Sequence, residues 1–275
     1  SKSATEVLDQ IMARSWVVIN RAPFFPWVVV FRVPACRPII AFRPVRCAGN
    51  AIRLPLLACR VMNADFDGDQ VAVFLPLTEG AQREAETRLS LAAHLARQPE
   101  LISMVHPAQD ALLGLASLSL TARGEIEKIT GTKVAKFVTR HALVDVLKTI
   151  LEQEGPQKAL EVSERLMSRG FEAARRMGAS MNPFLGSTLD LPPKPESDDP
   201  EQWRAHAEEV SAWLASRDDF SDNDFGPLNL LCKSGARSTY HQLRQLLGAA
   251  GVARDVEGKF VPLRHGWQEG LPPEE

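Results

Sequence analysis

The sequence predicts an α+β protein, with a β-rich N-terminal part built around an acidic turn and a mostly helical remainder. Three observations carry this. The run Asn63-Ala64-Asp65-Phe66-Asp67-Gly68-Asp69-Gln70 lies between two apolar stretches, Leu57, Ala58, Val61 and Met62 before it and Val71, Val73, Leu75 and Leu77 after it, which read as buried strands. Upstream, Trp16-Val17-Val18-Ile19 is a further strand candidate. From Lys128 onward, apolar residues recur at helical spacing, as at Leu143, Leu147, Ile150 and Leu151. A chain of 275 residues exceeds one typical domain. The expected division is residues 1–80 as a β domain carrying the acidic turn, 81–190 as a helical domain, 191–225 as an acidic proline-rich linker with a short helix, and 226–275 as a C-terminal helical segment.

Each element has a local cause. Ser3 is suited to cap a helix running through Arg14, with Val7, Leu8, Ile11 and Met12 as its apolar stripe. Gly49-Asn50 reads as a turn between the segments Ile39 to Val45 and Gly49 to Leu54. Thr78 caps a helix starting near Glu79, and residues 81–97 carry Ala85, Leu89 and Leu95 with charges between them. A second helix is expected from Pro107, a favoured first helical residue, through Leu112, Leu113 and Leu115. His94 and His106 read as ordinary surface or packing residues. Helices over 141–153 and 157–169 are closed by Gly155-Pro156 and by Gly170. In the acidic stretch, Trp203, Ala207, Val210, Trp213 and Leu214 form one amphipathic helix.

The acidic turn asks for a cation. Like charges a few Å apart oppose one another's ionisation, so Asp65, Asp67 and Asp69 need a divalent ion or full solvation. Alternation places i, i+2 and i+4 on one face of extended chain, and Gly68 permits a tight bend. Oxygen-only ligands suit Mg²⁺ better than zinc. The calcium loop pattern fails, because the glycine falls fourth and Pro76 stands at position twelve counted from Asp65. A solvated acidic turn is the competing reading, against which stand the apolar flanks.

Charge is balanced overall, 32 basic against 34 acidic residues, but unevenly spread. Between Ile11 and Ala64 there is no Asp or Glu, while Arg14, Arg21, Arg32, Arg37, Arg43, Arg46, Arg53 and Arg60 are all present. Arginine without lysine suits bidentate phosphate recognition; a set of surface arginines is the plainer alternative. The four cysteines form no CxxC pair, so neither a zinc site nor a disulfide framework is indicated, and a reducing cytoplasm is expected. The most apolar run, residues 24–31, is too short and proline-broken to span a bilayer, and no membrane partner is expected.

The string NADFDGDQ followed by VAVFLPL resembles the metal-binding signature of the largest subunit of multisubunit RNA polymerases, bacterial β′ in particular. Further motifs follow in the family's order. Asn20-Arg21-Ala22-Pro23 matches its NRAP motif, and Gln109-Asp110-Ala111-Leu112-Leu113-Gly114-Leu115 its QDxxLGL stretch. Gly170-Phe171 and Arg175-Arg176-Met177-Gly178 are similar to its pore and funnel region, and Ser234-Gly235-Ala236-Arg237-Ser238 with Gln242 to Gly248 to its SGARGS stretch. The resemblance implies a double-psi β-barrel followed by a helical pore and funnel-like region, and Ile39 to Val45 and Gly49 to Leu54 look like the family's barrel strands. It implies that Asp65, Asp67 and Asp69 chelate the catalytic Mg²⁺, that Asn63 contacts the ribose of the incoming nucleotide, and that Arg21 contacts the nucleotide sugar or the RNA 3′ end. Arg53 is added as the phosphate contact expected nearest the acids. The implied activity is DNA-templated RNA synthesis from nucleoside triphosphates, in complex with a β-like subunit, the remaining β′ segments, DNA template and RNA.

Departures bear on activity. Residues 24–34 replace the family's continuation of NRAP, and 267–271 replace its FREGL. A non-catalytic remnant that serves assembly or nucleic-acid binding is therefore the alternative. A self-contained two-barrel polymerase would need catalytic lysines, whereas Lys128, Lys133, Lys136 and Lys148 are expected in helical context.

Overall fold

The computed structural model describes residues 3–21, 39–179, 189–218, 220, 225–248 and 251–266. The divergent segment 24–38 and the 267–271 motif lie outside them. The chain divides into two compact units: residues 1–107 with 143–165, and residues 108–142 with 166–275.

In the first unit, helix α1 (Ala4–Arg14) opens with a full capping box. The Ser3 hydroxyl accepts from the Glu6 N–H, and the Glu6 carboxylate accepts from the Ser3 N–H. Its apolar stripe is as expected in spacing, yet no residue of α1 is buried. Strand β1 (Val17–Arg21) is central in a three-stranded antiparallel sheet, paired with β2 (Ile40–Phe42) on one side and β3 (Val71–Phe74) on the other. Val18 lies opposite Ala41 and Phe74, and Arg21 opposite Val71. Ile19, Ile40 and Ala41 are buried, whereas Val73 and Phe74 of β3 are exposed.

The α+β class holds, but among the described residues the strands do not close into a barrel: β3 pairs on one side, the outer side of β2 has only an isolated bridge from Ala41 to Ser90, and closure requires every edge to be paired by a strand. Two expected strands are missing. Residues 49–54 turn and run on without a sheet partner, with Gly49 at φ +109° supplying the bend. The stretch before the acids is helix α2 (Leu56–Met62). Leu57, Ala58, Val61 and Met62 are buried as predicted, but their i, i+1, i+4, i+5 spacing is that of one helix face and not of a pleated strand.

After β3, Thr78 caps α3 (Glu79–Glu84), its hydroxyl accepting from the Ala81 N–H. The helix expected to continue to 97 is interrupted by a π-helical turn (Ala85–Leu89), and Ser90 recaps α4 (Leu91–Arg97). A 3₁₀ turn (Pro99–Ser103) follows, with Ile102 and Val105 fully buried.

In the second unit, α5 (Gln109–Thr121) and α6 (Arg123–Thr130) pack together. Lys133 and Lys136 lie in the irregular stretch before α7 (Arg140–Glu154), not in helix. Helix α8 (Pro156–Met177) runs straight through Gly170, which was expected to end it. That glycine serves close packing: a Cβ there would meet the Ala111 carbonyl oxygen at 2.2 Å.

The amphipathic helix expected within the acidic stretch is α9 (Pro200–Ser216), with Trp203, Val210 and Leu214 buried. It joins α10 (Gly226–Ser234) and α11 (Tyr240–Leu247) around a core of Leu214, Phe225, Leu228, Leu243 and Leu247. The segment after α11, expected as helical, contains a hairpin of β4 (Gly251–Arg254) and β5 (Phe260–Leu263), turned by Gly258 at φ +81°.

Candidate metal centre

The acidic loop is built by what ends α2. Asn63 takes the left-handed conformation at φ 50°, ψ 41°, and the Ala64 N–H returns to the Cys59 carbonyl at 2.8 Å. Asparagine tolerates that conformation better than most side chains, so Asn63 stops the helix and turns the chain into the acids. Gly68 at φ +118° makes the second bend, after which β3 carries the chain back along β1.

The loop gathers the three carboxylates as the sequence implied: one oxygen from each of Asp65, Asp67 and Asp69 falls within 4.8 Å of the others. Their surroundings differ. Asp65 and Asp67 are exposed, while the Asp69 side chain is 19% exposed and faces an Arg21 side chain that is 14% exposed. Arg21 binds it as a fork, Nε donating to Oδ2 at 2.5 Å and Nη2 to Oδ1 at 2.7 Å. The Asp65 N–H donates to the same Oδ2 at 3.0 Å. Hydrogen bonds from Arg21 and then from the Asp65 amide hold the Asp69 carboxyl down to about 2. Asp65 moves the other way: a hydrogen bond with Asp67, some loss of hydration and the neighbouring negative charges raise it above the ordinary aspartate value.

The donor set fits a hard divalent ion. Three carboxylates converge with no sulfur or imidazole among them, and two are open to solvent, leaving room for the waters and phosphate oxygens that Mg²⁺ retains. Arg21 arrives from β1, and the β1–β3 pairing that sets Arg21 opposite Val71 brings Asn20 and Arg21 to the acids. Arg53 is elsewhere in its bonding: it lies in the loop before α2 and donates to the Ala48 carbonyl at 3.3 Å.

Sequence reasoning missed the Arg21–Asp69 fork, since 48 residues separate the pair and nothing in either neighbourhood signals it. It also missed how far the acid-free segment is neutralised from outside. Arg43 reaches Glu86 at 3.2 Å and stacks on Trp16, and Arg46 forks onto Asp9 at 2.8 and 3.0 Å. Arg60 donates to Nε2 of the buried His106 at 2.8 Å, while Nδ1 of that ring lies 2.6 Å from the Pro107 carbonyl. A carbonyl only accepts and a guanidinium only donates, so the proton of His106 sits on Nδ1.

In the second unit, two other motif stretches meet: Arg237 donates to the Gln109 side chain at 3.3 Å and lies 3.7 Å from Asp110. Gln109 and Ser238 both have positive φ, at 50° and 63°.

Residues 2–91, which contain the acidic loop and Arg21, match the family model for RNA polymerase Rpb1, domain 2. Over longer alignments the chain is similar to the DNA-directed RNA polymerase subunit beta' of Moorella thermoacetica, at 27% identity over 97% of this chain and 28% of that protein. The corresponding subunit of Treponema denticola is 25% identical, over 96% of this chain and 24% of the relative. That of Treponema pallidum is 26% identical, over 98% and 24%. The chain thus spans about a quarter of the length of the curated relatives it matches. The chain is similar to RNA polymerase beta' subunits over most of its length, and its acid cluster and the arginine bound to it lie inside the stretch that matches the model of Rpb1 domain 2.

Proposed function

We propose that this chain supplies the Mg²⁺-binding part of a nucleotidyl-transferase site for DNA-templated RNA synthesis, working in the cytoplasm with a β-like subunit and further β′-like segments. The observation that carries this reading is the convergence of Asp65, Asp67 and Asp69 within 4.8 Å, without other ligand types, inside the matched domain. We read β1, β2 and β3 as part of the double-psi barrel that the resemblance implies. A bound Mg²⁺ would supply charge neutralisation at the RNA 3′ hydroxyl and at the triphosphate.

The chain's own residues do the positioning. Asn63 and Gly68 fix the two bends that aim the carboxylates to one point. Asp65 and Asp67 offer their oxygens to the ion from the solvent side, and Asp69 offers a carboxylate that stays ionised at any ordinary pH. Asn63 is assigned to the ribose of the incoming nucleotide, Arg21 to its sugar or the RNA 3′ end, and Arg53 to a phosphate.

One observation favours the second reading, a non-catalytic assembly module: both oxygens of Asp69 already have a cation, Arg21. Calorimetric titration with Mn²⁺ tests the metal claim directly. Saturable binding by the wild-type chain, lost in Asp65→Asn/Asp67→Asn, supports the site; equal binding by both proteins removes it.

A further inference from the structure

We infer that Arg21 is the resident counter-cation of the acid cluster, so that a divalent ion binds in competition with it and its guanidinium is released toward substrate when the ion arrives. This rests on the metal-site reading above and extends it to how the site is kept before loading. Three carboxylates within 4.8 Å repel one another; solvent screens the exposed Asp65 and Asp67, and a positive charge beside the less exposed Asp69 lowers the cost of holding the loop together without metal. The fold provides one from a different element. Arg21 stands at the end of β1 and spends two of its donors on the two oxygens of Asp69.

The pairing has two consequences. The ion and the guanidinium compete for the same carboxylate, because an oxygen that accepts a charged N–H at 2.5–2.7 Å presents less of its lone-pair density to a metal. The ion also meets a fixed positive charge at the site's inner wall. In exchange, the Asp65 amide and Arg21 together keep Asp69 oriented. Once an ion takes over the neutralisation, the guanidinium has donors to give to a sugar hydroxyl or a phosphate. Metal loading and substrate capture are thereby coupled through one side chain.

The test is Mn²⁺ affinity, read by electron paramagnetic resonance on the full chain, for wild type, Arg21→Gln, Arg21→Lys and the Asp65→Asn/Asp67→Asn control. A unit charge about 6 Å from a divalent ion in a water-like dielectric changes affinity on the order of tenfold. Arg21→Gln should therefore bind Mn²⁺ about tenfold more tightly, with that gain abolished by the Asp65→Asn/Asp67→Asn change. Arg21→Lys keeps the charge and should stay near wild type; were Arg21 merely holding Asp69 in place, Lys and Gln would both weaken binding. Nitrogen NMR of Arg21 Nε in folded wild type provides the second reading, with its resonance expected to shift on adding Mg²⁺ and not in the double-Asn control. Unchanged or weaker binding by Arg21→Gln, or an Nε resonance that ignores the ion, overturns the counter-cation role while leaving the metal site standing. Absence of binding in wild type and Arg21→Gln alike overturns both.

Discussion

Gly114 of α5 and Gly170 of α8 meet backbone to backbone: a Cβ on Gly114 would stand 1.9 Å from the Gly170 carbonyl oxygen and 2.7 Å from the Ala174 amide nitrogen. Neither obstacle is the end of a flexible side chain, so the helices themselves would have to part. Gly114→Ala should cost about 3 kcal/mol or more, at the upper end of overpacking penalties. Gly124 is the control, being helical with nothing within 4 Å of its added Cβ. Gly124→Ala should be neutral or stabilising by up to about 1 kcal/mol. Urea denaturation of the two variants checks both, and equal stability for Gly114→Ala and wild type would show that the crossing is loose.

Gln82 acts as a missing strand partner for Trp16. Its Oε1 accepts from the Trp16 N–H at 2.6 Å, and its Nε2 donates to the Trp16 carbonyl at 3.0 Å and the Pro76 carbonyl at 2.8 Å. The amide thus ties α3 to the chain entering β1, the strand that carries Arg21. Gln82→Met keeps the length and strands these backbone groups, at a cost of about 1–3 kcal/mol. Gln82→Glu should also destabilise, because a carboxylate accepts from Trp16 but cannot donate to either carbonyl. Thermal melts of the three proteins decide; a Glu variant as stable as wild type would rule out the two donated bonds.

The parts of the fold legible in the sequence were those with local causes. Ser3, Thr78 and the helical periods of α1, α3 and α7 announced their elements, and the alternating acids announced the cluster. What was not legible depended on partners distant in sequence. The stretch Leu56–Met62 is buried in either conformation, and only the αL cap at Asn63 decides for helix. Gly170 looks like a terminator until Ala111 and Gly114 are seen against it. Trp203, Val210 and Leu214 announced helix α9, but not that its buried face shares one core with α10 and α11, which is set by partners distant in sequence. The fork from Arg21 to Asp69 is a tertiary fact, fixed by the register of β1 on β3.

Tyr240 is the one tyrosine in the chain, so its ionisation can be followed without ambiguity. Its hydroxyl donates to Asn229 Oδ1 at 2.8 Å. Burial, with the nearby Cys232 and Asp218, pushes the phenol up to about 12. A raised folded-state value means that the native state holds its proton more tightly than the unfolded chain. The stability this contributes is fully present below the ordinary tyrosine value near 10 and is lost as pH rises from there toward 12. Phenolate absorbance should therefore show a midpoint near 12 in the folded protein, moving to about 10 in urea. A midpoint near 10 in both states would mean that the ring is solvated.

The acid-free arginine segment invites a prediction of strong phosphate binding, and the ion pairs revise its size. Eight available arginines would give a salt dependence of about −6 in log affinity against log salt for a single strand, at roughly −0.7 per neutralised phosphate. Arg21, Arg43 and Arg46, however, already hold Asp69, Glu86 and Asp9. Each must surrender a carboxylate before it can take a phosphate, an exchange that releases few counterions. Among the described residues of this segment, Arg14 and Arg53 make no salt bridge to a carboxylate. With three of the eight arginines held in this way, the slope for single-stranded RNA should be no steeper than about −3.5. Arg53→Ala should reduce it by about 0.7, while Arg46→Ala leaves it nearly unchanged. Fluorescence anisotropy over a salt series measures all three. A slope near −6, or an equal loss from both substitutions, would mean that the internal pairs open freely and that the segment meets nucleic acid as one cationic wall.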